Sequence, residues 1–315
     1  MKFLWIILGV AAFVAIASVV IAYTCFLRVF RFKKVKETEE YPIPEGEAYE
    51  EYRDQMIEWV KEARERPHKE YSVKSFDGLT LYGNYYEYSK DAPIDILFHG
   101  YRGTAERDLS GGIARCFKLG HSALIVDHRA NGISEGKVIT FGINESRDCA
   151  KWVDLVLREI NPYAKIILGG VSMGAATVMI ASAMEFPKNV IGGVADCGYT
   201  SAEDIIKKEI AVMKLPPKLV YPFVRLGARI FGRFDIDETS PIEAVKKSRI
   251  PIIFLHGDKD GFVPHDMSVA CYNACTSPKR MVTIEGADHG LAFPADQKKY
   301  VDAIESFFAP YLAEK

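Results

Sequence analysis

The stretch Gly170–Gly174, with the sequence Gly-Val-Ser-Met-Gly, has the residue types that a nucleophilic serine needs. It follows the apolar run Ile166–Leu168, which predicts a buried strand, and precedes Ala175–Ala181, which predicts the start of a helix. Glycines two residues before and after the serine remove side chains that would collide in so tight a turn. The serine oxygen would then lie at a helix N-terminus, where backbone N–H groups favour developing negative charge. The stretch therefore predicts a nucleophile, Ser172, at a strand-to-helix turn.

A serine hydroxyl needs a base at neutral pH, normally a histidine that a carboxylate orients. His289 follows the last predicted strand, and Asp258 and Asp260 follow the strand before it. The order along the chain is nucleophile, acid, histidine, as in one of the known triad arrangements. We predict Ser172 as nucleophile, His289 as base and Asp260 as orienting acid. Asp258 is the rival acid, although a turn residue that accepts backbone N–H groups is the simpler interpretation of it.

Acyl transfer also needs two backbone donors for the oxyanion. Met173 N–H, directly after the nucleophile, is the first candidate. The second is Tyr101 N–H, in the glycine-containing loop that follows Phe98. His99 in this loop resembles a second base, but we expect it to hold the loop by hydrogen bonds.

Two groups of polar residues raise the question of a metal. One is Asp127-His128-Arg129, and the other combines His256, Asp258 and His265. Neither has the ligand spacing of a catalytic zinc site. We therefore expect no metal and no cofactor, and we expect Arg129 to tie down its own loop.

Strands alternate with helices from residue 71 onward, which predicts a mostly parallel sheet covered by helices on both faces. A long segment without strands, at about 199–240, is rich in large apolar residues and follows the strand after the nucleophile. It predicts a helical lid above the serine, or else a helical hairpin that packs on the core. As a lid, it would favour a substrate with an acyl or other apolar part.

The N-terminal stretch Phe3–Leu27 contains no charged residue. As a helix it would be about 37 Å long, enough to cross a bilayer. A cleaved signal peptide is the alternative, but the apolar run continues ten residues past the candidate cleavage site at Ala17. Five basic residues follow the run and place its C-terminal side in the cytoplasm. They are Arg28, Arg31, Lys33, Lys34 and Lys36. The six cysteines lack a disulfide-like or zinc-like spacing, which agrees with a reducing compartment.

The sequence divides into an anchor with its basic flank (1–36), a linker with an amphipathic helix (37–70) and a catalytic domain (71–315). The amphipathic helix begins near Tyr49 and ends at Pro67, and we expect it to pack on the domain rather than on a membrane surface. The net charge of −2, from 40 basic and 42 acidic residues, gives no indication of a nucleic-acid partner.

Five motifs together resemble the α/β-hydrolase superfamily over residues 71–315. They are Phe98-His99-Gly100, residues 127–134, Gly170–Gly174, Gly257–Asp260 and Asp288-His289. More narrowly, the chain is similar to membrane-anchored bacterial members of the serine aminopeptidase and monoacylglycerol-lipase-like group. The resemblance implies an α/β-hydrolase fold and places the acid at Asp260. The family it points to includes esterases, lipases, thioesterases and peptidases.

We therefore predict a single-pass cell-membrane serine hydrolase that cleaves a carboxylic ester or related acyl bond of a small molecule. The alternatives are a peptidase for small peptides and a tethered binding protein that kept the fold without catalysis.

Overall fold

The computed structural model describes residues 2–32 and 39–313. Its centre is an eight-stranded sheet in the order β1-β2-β4-β3-β5-β6-β7-β8. The strands are β1 (Lys69–Lys74), β2 (Thr80–Tyr86), β3 (Ile94–Phe98), β4 (Ser122–Val126), β5 (Ile166–Val171), β6 (Val190–Asp196), β7 (Ile252–Gly257) and β8 (Lys279–Ile284). β2 runs antiparallel to β1 and β4, and the other neighbours are parallel. The mostly parallel sheet is confirmed.

The helices are α1 (Lys2–Val29), α2 (Arg53–Glu65), α3 (Ala105–Leu119), α4 (Ile143–Leu155), α5 (Met173–Ala181), α6 (Ala202–Val212), α7 (Pro217–Gly227), α8 (Pro241–Val245), α9 (His265–Ala274), α10 (Ala292–Ala295) and α11 (Gln297–Ala313). They cover both faces of the sheet, as β5 makes clear. Ile166 and Leu168 share an apolar cluster with Trp152 of α4. Ile167, between them, lies in a different cluster with Phe308 of α11. Successive strand residues point to opposite faces, so both faces are apolar and both are packed.

The predicted lid region contains α6 and α7, followed by a π-helical turn at Ala228–Gly232. Its buried side chains form an apolar cluster that includes Tyr221 and Val224 of α7. The same cluster contains Phe26 and Phe30, from the end of the N-terminal helix. The apolar N-terminal segment is therefore joined to the predicted lid region by packing.

α1 is long and apolar enough to cross a membrane by length and composition. Its residues through Ile16 are all exposed, whereas Ala22, Phe26 and Phe30 near its end are buried. The chain then pairs Arg31 with Val138 in an isolated β-bridge. The predicted basic residues Lys33, Lys34 and Lys36, and the start of the predicted linker, lie outside the described residues.

The predicted linker and amphipathic helix lie against the sheet-containing part of the chain over residues 41–65. Ile43 is buried, and a 3₁₀ helix at Glu47–Tyr52 leads into α2. The Trp59 ring of α2 stacks on Phe293 with ring centroids 5.2 Å apart. It also fills the space beside Gly111 of α3, where a Cβ would lie 2.7 Å from the indole. α2 thus packs on the domain, as its apolar face predicts.

Candidate active site

Ser172 lies between the end of β5 and the start of α5 with φ 57° and ψ −113°. A non-glycine residue with positive φ is strained and persists only where the surroundings hold it. The two flanking glycines explain how. A Cβ on Gly170 would lie 2.2 Å from the carbonyl of Gly174, and a Cβ on Gly174 would lie 2.0 Å from the carbonyl oxygen of Phe98. Neither position accepts a side chain, so both glycines are required by the turn.

The structure brings the three predicted triad residues together. The Nε2 atom of His289 is 3.0 Å from the Oγ atom of Ser172. The Nδ1 atom of His289 is 2.7 Å from the Oδ2 atom of Asp260. With Nδ1–H donating to the carboxylate, Nε2 is free to accept the serine proton, which is the tautomer a general base needs.

The carboxylate of Asp260 is fully buried. Both of its oxygens accept hydrogen bonds. Oδ1 accepts the backbone N–H groups of Phe262 and Val263, at 2.9 and 2.7 Å. Oδ2 receives His256 Nε2 at 2.9 Å in addition to His289. Burial by itself would raise the pKa of Asp260, but the hydrogen bonds and charges of the two histidines outweigh it and hold the pKa well below its ordinary value of 3.8. The acid is therefore ionised at neutral pH.

The two other aspartates of these loops serve the backbone. Asp258 accepts the N–H of Gly286 at 2.6 Å. Asp288 accepts the N–H groups of Gly261 and His289 at 2.9 and 2.7 Å. Both side chains brace the loop that follows β7, here called the acid loop, against the loop that follows β8. In the described chain neither side chain is hydrogen-bonded to the imidazole of His289.

The predicted oxyanion donors lie on the two segments that flank the serine. Met173 begins α5. The loop with Tyr101 approaches from β3, since a Cβ on Gly100 would lie 3.6 Å from the Cβ of Ser172. His99 holds this loop as predicted: its Nδ1 bonds the carbonyl of Gly100 at 2.7 Å and its Nε2 accepts the N–H of His128 at 3.0 Å.

Arg129 reaches further than its own loop. Its guanidinium makes two hydrogen bonds to Asp148 of α4, both 2.7 Å, and two to Asp77 in the β1–β2 turn, at 2.9 and 3.1 Å. It therefore ties three separate segments together, whereas the sequence indicated a purely local role.

The two histidines of the second suspected metal group are hydrogen-bonded to other residues. His256 bonds Ser268 and Asp260, and His265 bonds Thr283. Among the described residues, the side chains close enough to share a metal are Cys197, Asp260 and His289. Two of these already bond each other as acid and base. Burial raises the pKa of the Cys197 thiol well above its ordinary value, so the thiol is protonated at neutral pH.

Ser172 and His289 open into a pocket of about 820 Å³. Its wall includes residues that the sequence did not assign to the site. Tyr49, from the 3₁₀ helix, donates its hydroxyl proton to the backbone carbonyl of His289 at 3.0 Å. Lys208 of α6 donates to the carbonyls of Gly261 and Phe262, at 2.9 and 2.7 Å, and so ties the lid to the acid loop. Neither residue belongs to a local motif.

The family described as "alpha/beta hydrolase fold" matches residues 96–239. Among curated proteins, the chain is 26% identical to Bacillus subtilis YqkD over 190 residues, 60% of this chain and 62% of that protein. It is 27% identical to Schizosaccharomyces pombe bem46 over 198 residues, 62% of this chain and 60% of that protein. The chain thus spans about three fifths of the length of the curated relatives it matches.

A solved structure with the same fold is the Pyrococcus furiosus esterase Pf2001. It superposes with a TM-score of 0.63 at 19% identity, covering 87% of this chain and 99% of the esterase. At this identity the similarity shows the α/β-hydrolase fold, which confirms the predicted fold class.

Proposed function

We propose that this chain, which has the α/β-hydrolase fold and matches the family of that description over residues 96–239, is a serine hydrolase that cleaves a carboxylic ester or related acyl bond. The contact that carries the proposal is His289 Nε2 to Ser172 Oγ at 3.0 Å, with Asp260 on the far side of the imidazole.

The proposed reaction is acyl transfer to water. Ser172 Oγ attacks the substrate carbonyl carbon while His289 Nε2 takes the hydroxyl proton. The N–H groups of Met173 and Tyr101 hold the oxyanion. Collapse of the intermediate breaks the bond to the leaving group, which departs with the proton from His289 and leaves an acyl-serine. Water then attacks the acyl group, again with His289 as base, and releases the acid and the free serine. Asp260 stabilises the imidazolium in both halves.

The pocket favours a small-molecule substrate with an apolar acyl part and a polar remainder. Apolar side chains such as Phe262 and Val212 lie on its wall beside the charged Arg102, Arg107 and Lys208. Apolar surface of this kind accommodates an acyl chain, and the charges suit polar groups at the other end.

The test is a matched pair of serine variants. Ser172→Ala should abolish turnover of a short p-nitrophenyl ester and labelling by a fluorophosphonate. Ser89→Ala, an exposed serine between β2 and β3, should behave as the parent. Labelling of Ser172→Ala at the parent level would disprove the assignment. A well-folded parent that neither labels nor turns over would favour the tethered binding protein.

We also propose that α1 inserts in the cell membrane with the catalytic domain on the cytoplasmic side. Arg28 and Arg31 follow the apolar run, and all six cysteines are free thiols, which suits a reducing compartment. Protease added outside intact cells should leave the domain uncut. Digestion of the domain under those conditions would reverse the orientation.

A further inference from the structure

The connection between α6 and α7 exposes apolar side chains to solvent. We call residues Ala202–Gly227 the lid hairpin. α6 ends at Val212, and Lys214 turns the chain with a left-handed φ of 58°. Four large apolar side chains around this turn are between 48% and 68% exposed. They are Val212, Met213, Leu215 and Leu219. Such a group in one short turn is more than the scattered apolar exposure of a soluble surface.

The lid hairpin points toward the exposed end of α1, as successive contacts along the two helices show. A Cβ on Gly227 would lie 2.4 Å from the carbonyl oxygen of Ala22. One turn further along α1, the Phe26 ring lies 5.9 Å from that of Phe231. After another turn, Phe30 lies 5.2 Å from Phe234.

Residues 22–30 and residues 227–234 therefore run in the same direction where they contact each other. Residues before Gly227 extend along α7 toward the side from which α1 arrives. The α6–α7 turn lies at the far end of α7, ten residues before Gly227 and about 15 Å along the helix axis. On that side α1 is exposed and apolar from Phe3 to Ile16, and this part belongs to the apolar run that we propose enters the bilayer.

The charge around the turn has one sign. Residues 212–233 contain five basic residues and no acidic ones. Arg225 and Arg229 pair with Asp237 and Asp235. Lys214 and Lys218, on either side of Leu215, are exposed and form no ion pair within the described part of the chain. Lysines beside exposed apolar side chains suit the headgroup region of an anionic bilayer, where the chains enter and the ammonium groups meet phosphate.

We propose that the turn of the lid hairpin binds the surface of the bilayer that α1 enters, with Leu215 and Leu219 in the acyl boundary and Lys214 and Lys218 on anionic headgroups. The binding partner of this surface is the membrane itself, because the insertion of α1 places the bilayer beside this end of α7. The inference rests on the proposed insertion of α1 and is independent of the proposed hydrolysis.

The location of the pocket follows from this docking. Lys208, Glu209 and Val212 of α6 line the pocket that holds Ser172. Val212 is also 63% exposed, so the same residue belongs to the pocket wall and to the bilayer-facing turn. The pocket rim would then lie at the headgroup layer, where an acyl chain could pass from the membrane to the serine without crossing water.

The test uses the full chain in nanodiscs and measures how deeply the turn of the lid hairpin enters the bilayer. A single cysteine carrying an NBD fluorophore is introduced by Leu215→Cys, with Leu219→Cys as a second site. The control is Tyr163→Cys. Tyr163 is 88% exposed and precedes β5, whereas Ser172 follows the opposite end of that strand, about 20 Å away. Labelling of the parent, whose six cysteines are mostly buried, gives the background.

Lipids spin-labelled near the headgroup should quench the probes at positions 215 and 219 at least three-fold more than at 163. The excess should be larger with anionic than with zwitterionic lipid, and Lys214→Gln with Lys218→Gln should remove that difference. Equal quenching at 215, 219 and 163 would overturn the proposal. So would a probe signal that depends on protein concentration in detergent and not on lipid, since that assigns the turn to a second copy. Resistance to carbonate extraction checks α1 insertion separately.

Discussion

The hydroxyl of Tyr49 donates a hydrogen bond to the backbone carbonyl of His289 at 3.0 Å. Tyr49 lies 240 residues before His289 and belongs to a 3₁₀ helix outside the sheet. Burial raises the pKa of Tyr49, so the phenol remains a donor at neutral pH. The N-terminal segment thereby fixes the loop that carries the base.

Tyr49→Phe should lower kcat about five-fold with little change in KM. One neutral hydrogen bond contributes about 1 kcal/mol, and the bonded carbonyl orients His289 without being part of the reacting atoms. Tyr52→Phe, in the same 3₁₀ helix, is the matched control and should keep the parent kcat. Initial rates on a short p-nitrophenyl ester, with melting curves for all three proteins, measure the effect. A parent-like kcat in Tyr49→Phe would show that the contact does not position the base.

Asp260→Asn should reduce kcat by about four orders of magnitude, since an amide at the acid position selects the wrong imidazole tautomer. Asp258→Asn removes a carboxylate two residues away that accepts a hydrogen bond from the Gly286 N–H, and it should stay within about three-fold of the parent. The comparison decides between the two candidate acids. Comparable losses in both variants, or a greater loss in Asp258→Asn, would reassign the acid.

The stabilising effect of Asp260 should depend on pH. Its pKa in the folded chain lies below the ordinary value of 3.8, so its contribution is fully present above that value and is lost as the pH falls below it toward the folded pKa. The difference in urea unfolding midpoint between the parent and Asp260→Asn should therefore be smaller at pH 3 than at pH 5. A difference that grows between pH 5 and pH 3 would contradict the depressed pKa.

The nucleophile turn, the triad and the sheet could be predicted because their signals are local. The apolar run Ile166–Leu168, predicted as a buried strand, lies within β5, and Gly170 and Gly174 are required by contacts within one turn and with the neighbouring strand. In a parallel sheet the carboxyl ends of strands lie at one edge, so the residues that follow them meet there.

The contacts of Tyr49, Lys208 and Phe30 depend on tertiary packing and have no local signature. Tyr49 looked like part of an amphipathic stripe, and Phe30 fell in the basic flank of the predicted anchor. Nothing in either stretch specifies which distant loop it meets. Lys208 is one of two adjacent lysines on α6, and only the path of the acid loop selects it for the carbonyls of Gly261 and Phe262.

The end of α1 should be a structural part of the lid and not a removable tether. Phe30 is fully buried, with its ring edge-on to Phe141 at 5.9 Å and to Phe234 at 5.2 Å. Truncation of a buried phenylalanine to alanine costs about 3–5 kcal/mol. Phe30→Ala should therefore lower the unfolding midpoint of the detergent-solubilised protein strongly. Leu27→Ala, 42% exposed at nearly the same level of the chain, should cost less than about 1 kcal/mol.

The same packing determines how much of the N-terminal segment can be deleted without lowering the melting temperature. Deletion of residues 1–16, all of which are exposed where described, should leave a protein that melts like the parent. Deletion of residues 1–36 removes Phe26 and Phe30 from the lid cluster and should lower the melting temperature by at least as much as Phe30→Ala. Equal melting of the two truncated proteins would mean that the lid holds its structure without α1, and the boundary at residue 36 would then be the better end of the domain.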